Sequence, residues 1–377
     1  MGRWGRYGGH GMGRVLLTGA SGAIGAEVAA LLAGGGDRVL ALLHRERRIV
    51  RNDRRPLAIG PSARVEPLAG DIAQPRLGLA QAEWERLRSS VDVIVHSAAV
   101  TEFGRPEAIY RAVNVEGTRN VLDLATAGPR PIPLVHVSTA YVCGDRHGIV
   151  REDELSVGQS FANGYERSKH DAELLVRAAM ERGLPAVIAR PSIVVGSSRS
   201  GVTRELKNFY MFVKLLVEGR LSVVPASYDA LLDFVPVDYV AEAIADVARH
   251  VDQADGSTLH LVGAVPLTLR EIGDVLAEYP SFVIPRFVPP PSFDETRLSS
   301  LERRYHQRVA HLFTPYLTRH VVFSAEQARR VTGVRQAASG KPLLRRLIDY
   351  ALRVGYIGAP ARPIDEVLAS LAAQPAS

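Results

Sequence analysis

The sequence predicts an α/β fold in which a doubly wound parallel sheet is followed by a smaller, mostly helical C-terminal region. Three observations predict it. Short β-branched or leucine-rich runs alternate with helix-length segments through the first half of the chain, the pattern of βαβ units. Runs such as Val93-Ile94-Val95 and Leu134-Val135-His136-Val137 are apolar on both faces, as a sheet covered by helices on both sides requires. After Arg190-Pro191 the alternation loosens and bulkier helical segments take over.

Taken in order, Arg14 to Thr18 reads as a strand and Ile24 to Leu32 as a helix. Arg38 to Leu43 is a second strand, followed by an arginine-rich excursion to Pro61 and a third strand, Ala63 to Leu68. Gln81 to Arg88 is a short helix, Val91 to His96 a strand, and Pro106 to Ala127 a long helix. Leu134 to Ser138, the helix Tyr165 to Arg182, and Ala186 to Ala189 continue the alternation. Beyond it, Leu206 to Glu218 and Val237 to His250 read as helices, and Thr258 to Val262 as a last strand of the sheet. Thr268 to Tyr279, a proline-rich bend at Pro285 and Pro289-Pro290-Pro291, and a helical C-terminal stretch complete the chain.

At 377 residues, 46% hydrophobic and 23% charged, the chain has an ordinary globular composition and can bury a sizeable core. Its apolar stretches are strand-sized, well short of the ~20 residues that span a bilayer, so no membrane span is expected. Met1 to Gly13 is rich in Gly and Arg, lacks an apolar core segment, and reads as a disordered tail rather than a signal peptide. Cys143 is the single cysteine; no disulfide framework is possible, and a cytoplasmic setting is expected. The net charge of +6 comes mostly from arginine in an Ala/Gly/Arg-rich chain. The basic run His44 to Arg55 contains acids and no aromatic residue on which a base would stack, so nucleic acid is not an expected partner. The eleven histidines show no metal-ligand spacing, and His96 and His136, both in strands, read as satisfied core histidines.

Two motifs carry the chemistry. Thr18-Gly19-Ala20-Ser21-Gly22-Ala23-Ile24-Gly25 directly follows a strand and opens a helix. Glycines there permit a tight turn, close backbone approach to a diphosphate, and tight helix-sheet packing, while the helix N-terminus offers N–H groups to phosphate. This makes the sheet Rossmann-like and assigns Gly19 to Gly25 to a dinucleotide. An NAD-selective site would end its second strand in Asp or Glu to hold the ribose 2′-hydroxyl. Here that strand ends Leu43-His44-Arg45, which favours a 2′-phosphate and hence NADP(H). The second motif is Tyr165-Glu166-Arg167-Ser168-Lys169, whose spacing of four puts Tyr165 and Lys169 on one helix face. A nearby ammonium favours the phenolate and brings tyrosine's proton transfer closer to working pH. Thr139, at the end of the preceding strand, is placed to hydrogen-bond a reacting carbonyl oxygen.

With these residues in place, the chain resembles the extended short-chain dehydrogenase/reductases over roughly residues 14 to 262. The likeness rests on Thr18 to Gly25, Asp71 in Gly70-Asp71-Ile72, His96-Ser97-Ala98-Ala99, Asn114-Val115-Glu116-Gly117-Thr118, Thr139, Tyr165 with Lys169, and Arg190 to Gly196. Gly70 to Leu79, a following Trp84 helix, the basic His44-Arg45, and Phe161 to Tyr165 make it more similar to the thioester reductase and fatty acyl reductase ("male sterility") branch. That resemblance implies an NADPH-dependent reductase of acyl thioesters on coenzyme A or a carrier protein, giving aldehyde or alcohol. It implies Thr139, Tyr165, Lys169 and Asn114 as the catalytic set. Asp71, Ile72, Ser97, Ala98, Ala99, Pro191, Ser192 and Ile193, together with Tyr165 and Lys169 (the latter on the nicotinamide ribose), join Gly19, Ala20, Ser21, Gly22, Ala23, Ile24, Gly25, His44 and Arg45 around the cofactor.

The expected division is a tail at 1–13, an NADP-binding domain at 14–200 plus 233–262, and a substrate-binding region at 201–232 plus 263–377. The chain reads as free-standing, with a carrier-bound or small-molecule acyl substrate, an acyl carrier protein as candidate partner, and a monomer or homodimer as its state. Two alternatives stay open at this stage. One is an NADP-dependent ketone or aldehyde reductase, or alcohol dehydrogenase, on a free small molecule. The other is a non-catalytic NADP sensor, against which the complete Thr139, Tyr165 and Lys169 set argues. The cluster Phe209-Tyr210-Met211-Phe212 reads as core, with an acyl-tunnel lining as the alternative.

Overall fold

The computed structural model describes residues 13–128 and 130–358. Seven parallel strands form the central sheet: β1 (Arg14–Thr18), β2 (Arg38–Leu43), β3 (Val65–Ala69), β4 (Val93–His96), β5 (Leu134–Val137), β6 (Ala186–Pro191) and β7 (Thr258–Leu261). Their order is β7-β6-β5-β4-β1-β2-β3, which reverses direction between β1 and β4 as the chain winds outward both ways. Residues 1–12 of the expected tail, and the last nineteen residues of the expected C-terminal region, lie outside the described residues. Gly13, placed with the tail, is instead buried, and its N–H reaches Asp37 Oδ1 at 3.3 Å while its carbonyl accepts from Arg38.

Both faces of the sheet are dry, for the reason the apolar strands announce. On one face α1 (Ala23–Gly34) packs beside α7 (Val237–Arg249) over Val15, Leu17, Val93, Val95 and Val135. On the other, α2 (Gln81–Ser90), α4 (Gly117–Thr126) and α5 (Gly164–Glu181) cover Leu16, Leu40, Ile94, Leu134 and Ile188. The expected long helix 106–127 is present, but in three pieces. α3 (Glu107–Tyr110) runs through a π-helical turn, Arg111–Glu116, into α4. Such wide turns gather at functional sites, and this one holds Asn114.

A third apolar cluster lies beyond the ends of the strands. It draws on α6 (Phe209–Val217), α8 (Leu269–Ala277) and α9 (Lys341–Arg353), with Phe313, Leu317 and Phe287. Short parallel strand pairs join it to the sheet body, for example Ile193–Val195 with Phe234–Pro236. Among the described residues no helix is long and apolar enough to cross a membrane.

Under the site sits a buried ion pair. Arg190, with no exposed surface, donates to both oxygens of Glu173, at 3.1 Å (Nε) and 2.6 Å (Nη2). Its other hydrogens go to the carbonyls of Glu152 (3.2 Å) and Glu154 (2.8 Å) and to His260 Nε2. Burial alone would push the Glu173 carboxyl toward its neutral form, but the charge and hydrogen bonds of Arg190 hold it below its ordinary value. Removing one member of such a pair strands the other in a low-dielectric interior. Glu173→Ala is therefore expected to lower unfolding free energy by about 3–5 kcal/mol in urea titrations followed by circular dichroism. The double change Glu173→Leu with Arg190→Met should recover most of that loss; failure to recover would show that the pair does more than neutralise itself.

Candidate active site

The glycine turn forms because its backbone cannot be clothed. Gly19 has φ +74°, and a Cβ on it would lie 2.6 Å from the Ala98 nitrogen. A Cβ on Gly25 would fall 2.1 Å from the Gly19 carbonyl oxygen. The strand-to-helix connection thus folds tightly enough to bring the β4 loop, Ser97-Ala98-Ala99, onto the turn. Ser97 N–H reaches the Thr18 carbonyl at 3.2 Å, and Ala98 N–H reaches Thr18 Oγ1 at 3.2 Å. At Gly22, the N-cap of α1, no side chain caps the helix and no acid stands in its first turn. The helix N-terminus therefore keeps its positive end and donors available to an anion, which is the cradle that a dinucleotide's phosphates need.

From this turn a cavity of about 470 Å³ runs to the apolar cluster. Gly22, Ala23, Ile24 and Gly25 line one end, with Ser97 and Ala99 beside them. Thr139, Tyr165 and Lys169 line the middle, with Pro191, Ser192 and Ile193 across from them. Gly19, Ala20, Ser21 and Ala98 form the turn and its support without entering the lining. At the adenosine end expected from the sequence, His44 Nε2 lies 3.5 Å from Asp71 Oδ2, with Arg45 exposed next to it. Asp71 is fixed by a turn in which Arg76, Leu77 and Gly78 all have positive φ, so that the Leu77 carbonyl accepts from Asp71 N–H at 2.8 Å. Ile72 sits differently: its side chain is buried against Gly117, and its carbonyl accepts from Asn120 Nδ2 at 2.8 Å.

Of the candidate proton-handling groups, Thr139 and Lys169 are buried and Tyr165 is half-buried at the cavity. Asn163 caps α5 through Glu166 N–H at 2.9 Å, which sets Tyr165 at the first turn and Lys169 one turn later, inside the cavity. Lys169 Nζ donates to the Val137 carbonyl at 2.7 Å. Burial lowers its pKa to about 8, against a smaller opposing pull from Glu173. Burial also pushes the Tyr165 phenol up to about 12, with a hydrogen bond to Thr139 pulling the other way. The sequence expectation was that Lys169 lowers the Tyr165 pKa; in the protein alone desolvation dominates, because the ammonium is turned to the Val137 carbonyl. Thr139 Oγ1 donates to the Pro191 carbonyl at 3.3 Å and accepts from Tyr141 N–H, which ties the end of β5 to the end of β6.

Asn114 is not linked directly to these groups. Its Nδ2 donates to the Val100 carbonyl (3.0 Å) and to Ser168 Oγ (2.9 Å), and its Oδ1 accepts from Val100 N–H (2.8 Å). It braces the β4 loop against α5. The expected pair of satisfied histidines divides. His96 is held by Thr18 Oγ1 (2.7 Å) and Thr118 Oγ1 (3.0 Å), whereas both ring nitrogens of His136 are buried without a hydrogen-bond partner. Burial, with Lys169 nearby, holds His136 neutral. Cys143 is a buried thiol raised to about 12 by its burial.

Several site residues carry no local signal in the sequence. Phe103 stacks on Tyr316 (5.6 Å between ring centres, 10°), lies 6.1 Å from the Tyr165 ring, and meets Phe313 at 5.7 Å. With Phe209 and Phe212 these rings wall the far end of the cavity, so the aromatic cluster 209–212 is both core and lining. Asp233 accepts from Ser192 Oγ and from Gly263 N–H (2.8 Å); burial pushes its carboxyl up to about 6. Only chain crossings far apart in sequence bring these groups together.

A family model described as "Male sterility protein", an NAD-binding domain, matches residues 17–244. The L-2-aminoadipate reductase large subunit of Penicillium chrysogenum is 28% identical over 234 residues, 58% of this chain and 16% of that protein. The isonitrile lipopeptide synthase of Streptomyces coeruleorubidus is 30% identical over 279 residues, 71% of this chain and 18% of that protein. The chain thus spans less than a fifth of either relative's length. Among solved structures, the terminal R domain from the myxalamid PKS-NRPS biosynthetic pathway superimposes with a TM-score of 0.76 at 30% identity, covering 93% of each chain.

Two outcomes follow from the geometry. Gly25→Ala must displace the Gly19 carbonyl and should abolish NADPH binding in a fluorescence titration while leaving the sheet's circular dichroism in place; retained binding would show that the turn is not the cradle. A reaction that needs a protonated Lys169 loses rate as pH rises through about 8, because the ammonium present below that value is lost above it. A plot of log(kcat/KM) against pH should therefore bend downward near pH 8, and the bend should vanish in Lys169→Met.

Proposed function

Because this chain belongs to the male sterility protein family, and is thus an extended short-chain oxidoreductase with a nicotinamide cofactor, we propose that it reduces an acyl thioester with NADPH. The observation that carries this reading is the junction within one cavity. Tyr165, Thr139 and Lys169 share one cavity with a glycine turn suited to phosphates and with the aromatic rings of Phe103, Phe209, Phe212, Phe313 and Tyr316, while Glu102, Glu205 and Lys207 also reach its lining. An apolar acyl chain fits among those rings, with its carbonyl at the Thr139–Tyr165 end. Similarity to a terminal R domain of a PKS-NRPS pathway supports a carrier-bound thioester, with an acyl carrier protein or coenzyme A as the thiol. The absence of an acid at the end of β2, where His44 and Arg45 stand, supports NADPH over NADH.

In this mechanism the bound nicotinamide supplies hydride to the carbonyl carbon. Thr139 and Tyr165 hold the carbonyl oxygen and oppose its developing negative charge. Tyr165 gives that oxygen its phenolic proton, completing a hemithioacetal, and collapse of that adduct expels the thiol and leaves the aldehyde. Lys169 offers its ammonium against the phenolate left behind, a task that its burial makes costly and therefore sensitive to pH. Asn114 keeps the β4 loop and α5 in register. In the same reading, 14–200 plus 233–262 bind the cofactor and 201–232 plus 263–358 shape the substrate chamber, as the third apolar cluster suggests.

The direct test is NADPH oxidation, with NADH alongside, against medium- and long-chain acyl thioesters on coenzyme A and on a carrier, and against matching aldehydes. Thioester-dependent NADPH consumption is expected, with kcat lowered about 10²- to 10⁴-fold in Tyr165→Phe. Turnover of aldehydes or ketones with no thioester activity would replace this proposal by a carbonyl reductase acting on a small molecule.

A further inference from the structure

Arg204 holds a position that the reduction chemistry leaves unexplained. It lies in the segment 197–208, which leads from the strand Ile193–Val195 to α6. Its guanidinium, with a side chain only 15% exposed, donates to the main-chain carbonyls of Ser21, inside the glycine turn, and of Val50. The segment is anchored away from the turn. Gly201, at φ +69°, is packed so that a Cβ would lie 2.2 Å from the Arg346 carbonyl oxygen, and Tyr350 Oη donates to the Thr203 carbonyl at 2.8 Å.

Electrostatically the arrangement is incomplete. Carbonyl oxygens satisfy hydrogens but do not neutralise a charge. The carboxylate that Arg204 meets is Glu205 (3.1 Å), which is partly exposed and also pairs with Lys207 at 3.3 Å. The nearest acid on α1, Glu27, lies beyond the first turn and is taken by Arg51 (2.7 Å) and by Asn52 N–H (2.8 Å). A cation therefore stands at the positive end of an uncapped helix, two like-signed features whose proximity is favourable only with an anion between them. A second observation points to the same place. Asn52 is buried and lines the cavity; its Nδ2 is held by the Ala23 carbonyl (2.8 Å) and Glu27 Oε1 (3.2 Å), while its Oδ1 is buried with no partner. An acceptor held in that orientation calls for a donor such as a ribose hydroxyl.

We infer that Arg204 binds the diphosphate of the nicotinamide cofactor from the substrate side of the cavity, with Asn52 accepting from an adjacent ribose hydroxyl. Cofactor binding thereby fixes the segment whose next residues, Glu205, Lys207, Asn208, Phe209 and Phe212, line the acyl chamber. The inference rests on the nicotinamide cofactor and stands whether or not the substrate is a thioester.

Binding, measured without substrate, tests it. NADPH is titrated by its fluorescence into the parent protein, Arg204→Ala and Arg204→Lys, each first shown by thermal unfolding to be folded. Adenosine 2′-monophosphate, which keeps the adenosine and 2′-phosphate but lacks the diphosphate, is the control ligand. Arg204→Ala should weaken NADPH about tenfold, as loss of a charge-assisted hydrogen bond does, and flatten the salt dependence of its Kd. Arg204→Lys should retain part of the affinity, and the control ligand should bind all three alike. Hydrogen exchange in 197–208 should slow on NADPH addition to the parent and not to Arg204→Ala. NADPH affinity within twofold of the parent in Arg204→Ala, or an equal loss for the control ligand, would overturn the assignment.

Discussion

The pairing of Arg190 with Glu173 is the constraint from which the site is hung. Each partner stands next to a segment that lines the cavity. Glu173 lies one turn beyond Lys169 on α5, and Arg190 precedes Pro191-Ser192 at the end of β6. Ser138, beside Thr139 at the end of β5, donates to Glu173 at 2.8 Å. One buried ion pair therefore sets the spacing of three separate elements, in an interior where neither ion tolerates displacement. The same guanidinium reaches the carbonyls of Glu152 and Glu154, and the Glu152 carboxylate accepts from the N–H groups of Gln327 and Ala328. The C-terminal region is thus fastened to the site through a short chain of charged hydrogen bonds.

Rigidity at that level explains how burial sets the ionisation of the site. Lys169 and Tyr165 are both shifted away from their charged forms because the helices over β5 and β6 exclude water. An ammonium near its titration point and a phenol held protonated suit a reaction that ends by giving a proton to an oxygen. Charge arriving on the cofactor and substrate would meet groups already oriented, at little cost in reorganisation.

At the other end of α5 a second buried pair, Arg319 with Glu166 (2.8 Å and 3.1 Å), joins the residue after Tyr165 to the segment that carries Tyr316. Arg319 also lies over the Tyr316 ring at 4.9 Å, and Asn163, the cap of α5, donates to the Tyr316 hydroxyl at 3.1 Å. The start of α5 and the aromatic wall of the cavity are therefore one unit. The aromatic wall and Tyr165 cannot shift independently, since moving either would break a buried ion pair.

By itself the sequence determined whatever depends on local backbone geometry and on periodicity. The apolar strands and helix-length spacers specified the sheet, because a strand buried on both faces tolerates no other pattern. The glycine turn and the Tyr165–Lys169 spacing were legible because each acts through neighbours a few residues away. The aromatic wall, the Asp233 hold on Ser192, the unpartnered ring of His136, the reach of Arg204 to Ser21, and the brace made by Asn114 were decided only by the tertiary structure. Apart from the His136 ring, these are contacts between residues from 14 to 213 positions apart, created when crossovers bring loops together at the ends of parallel strands. No local pattern records them, because what fixes them is the exclusion of water and the pairing of charge in a shared interior, and neither exists until the chain has closed.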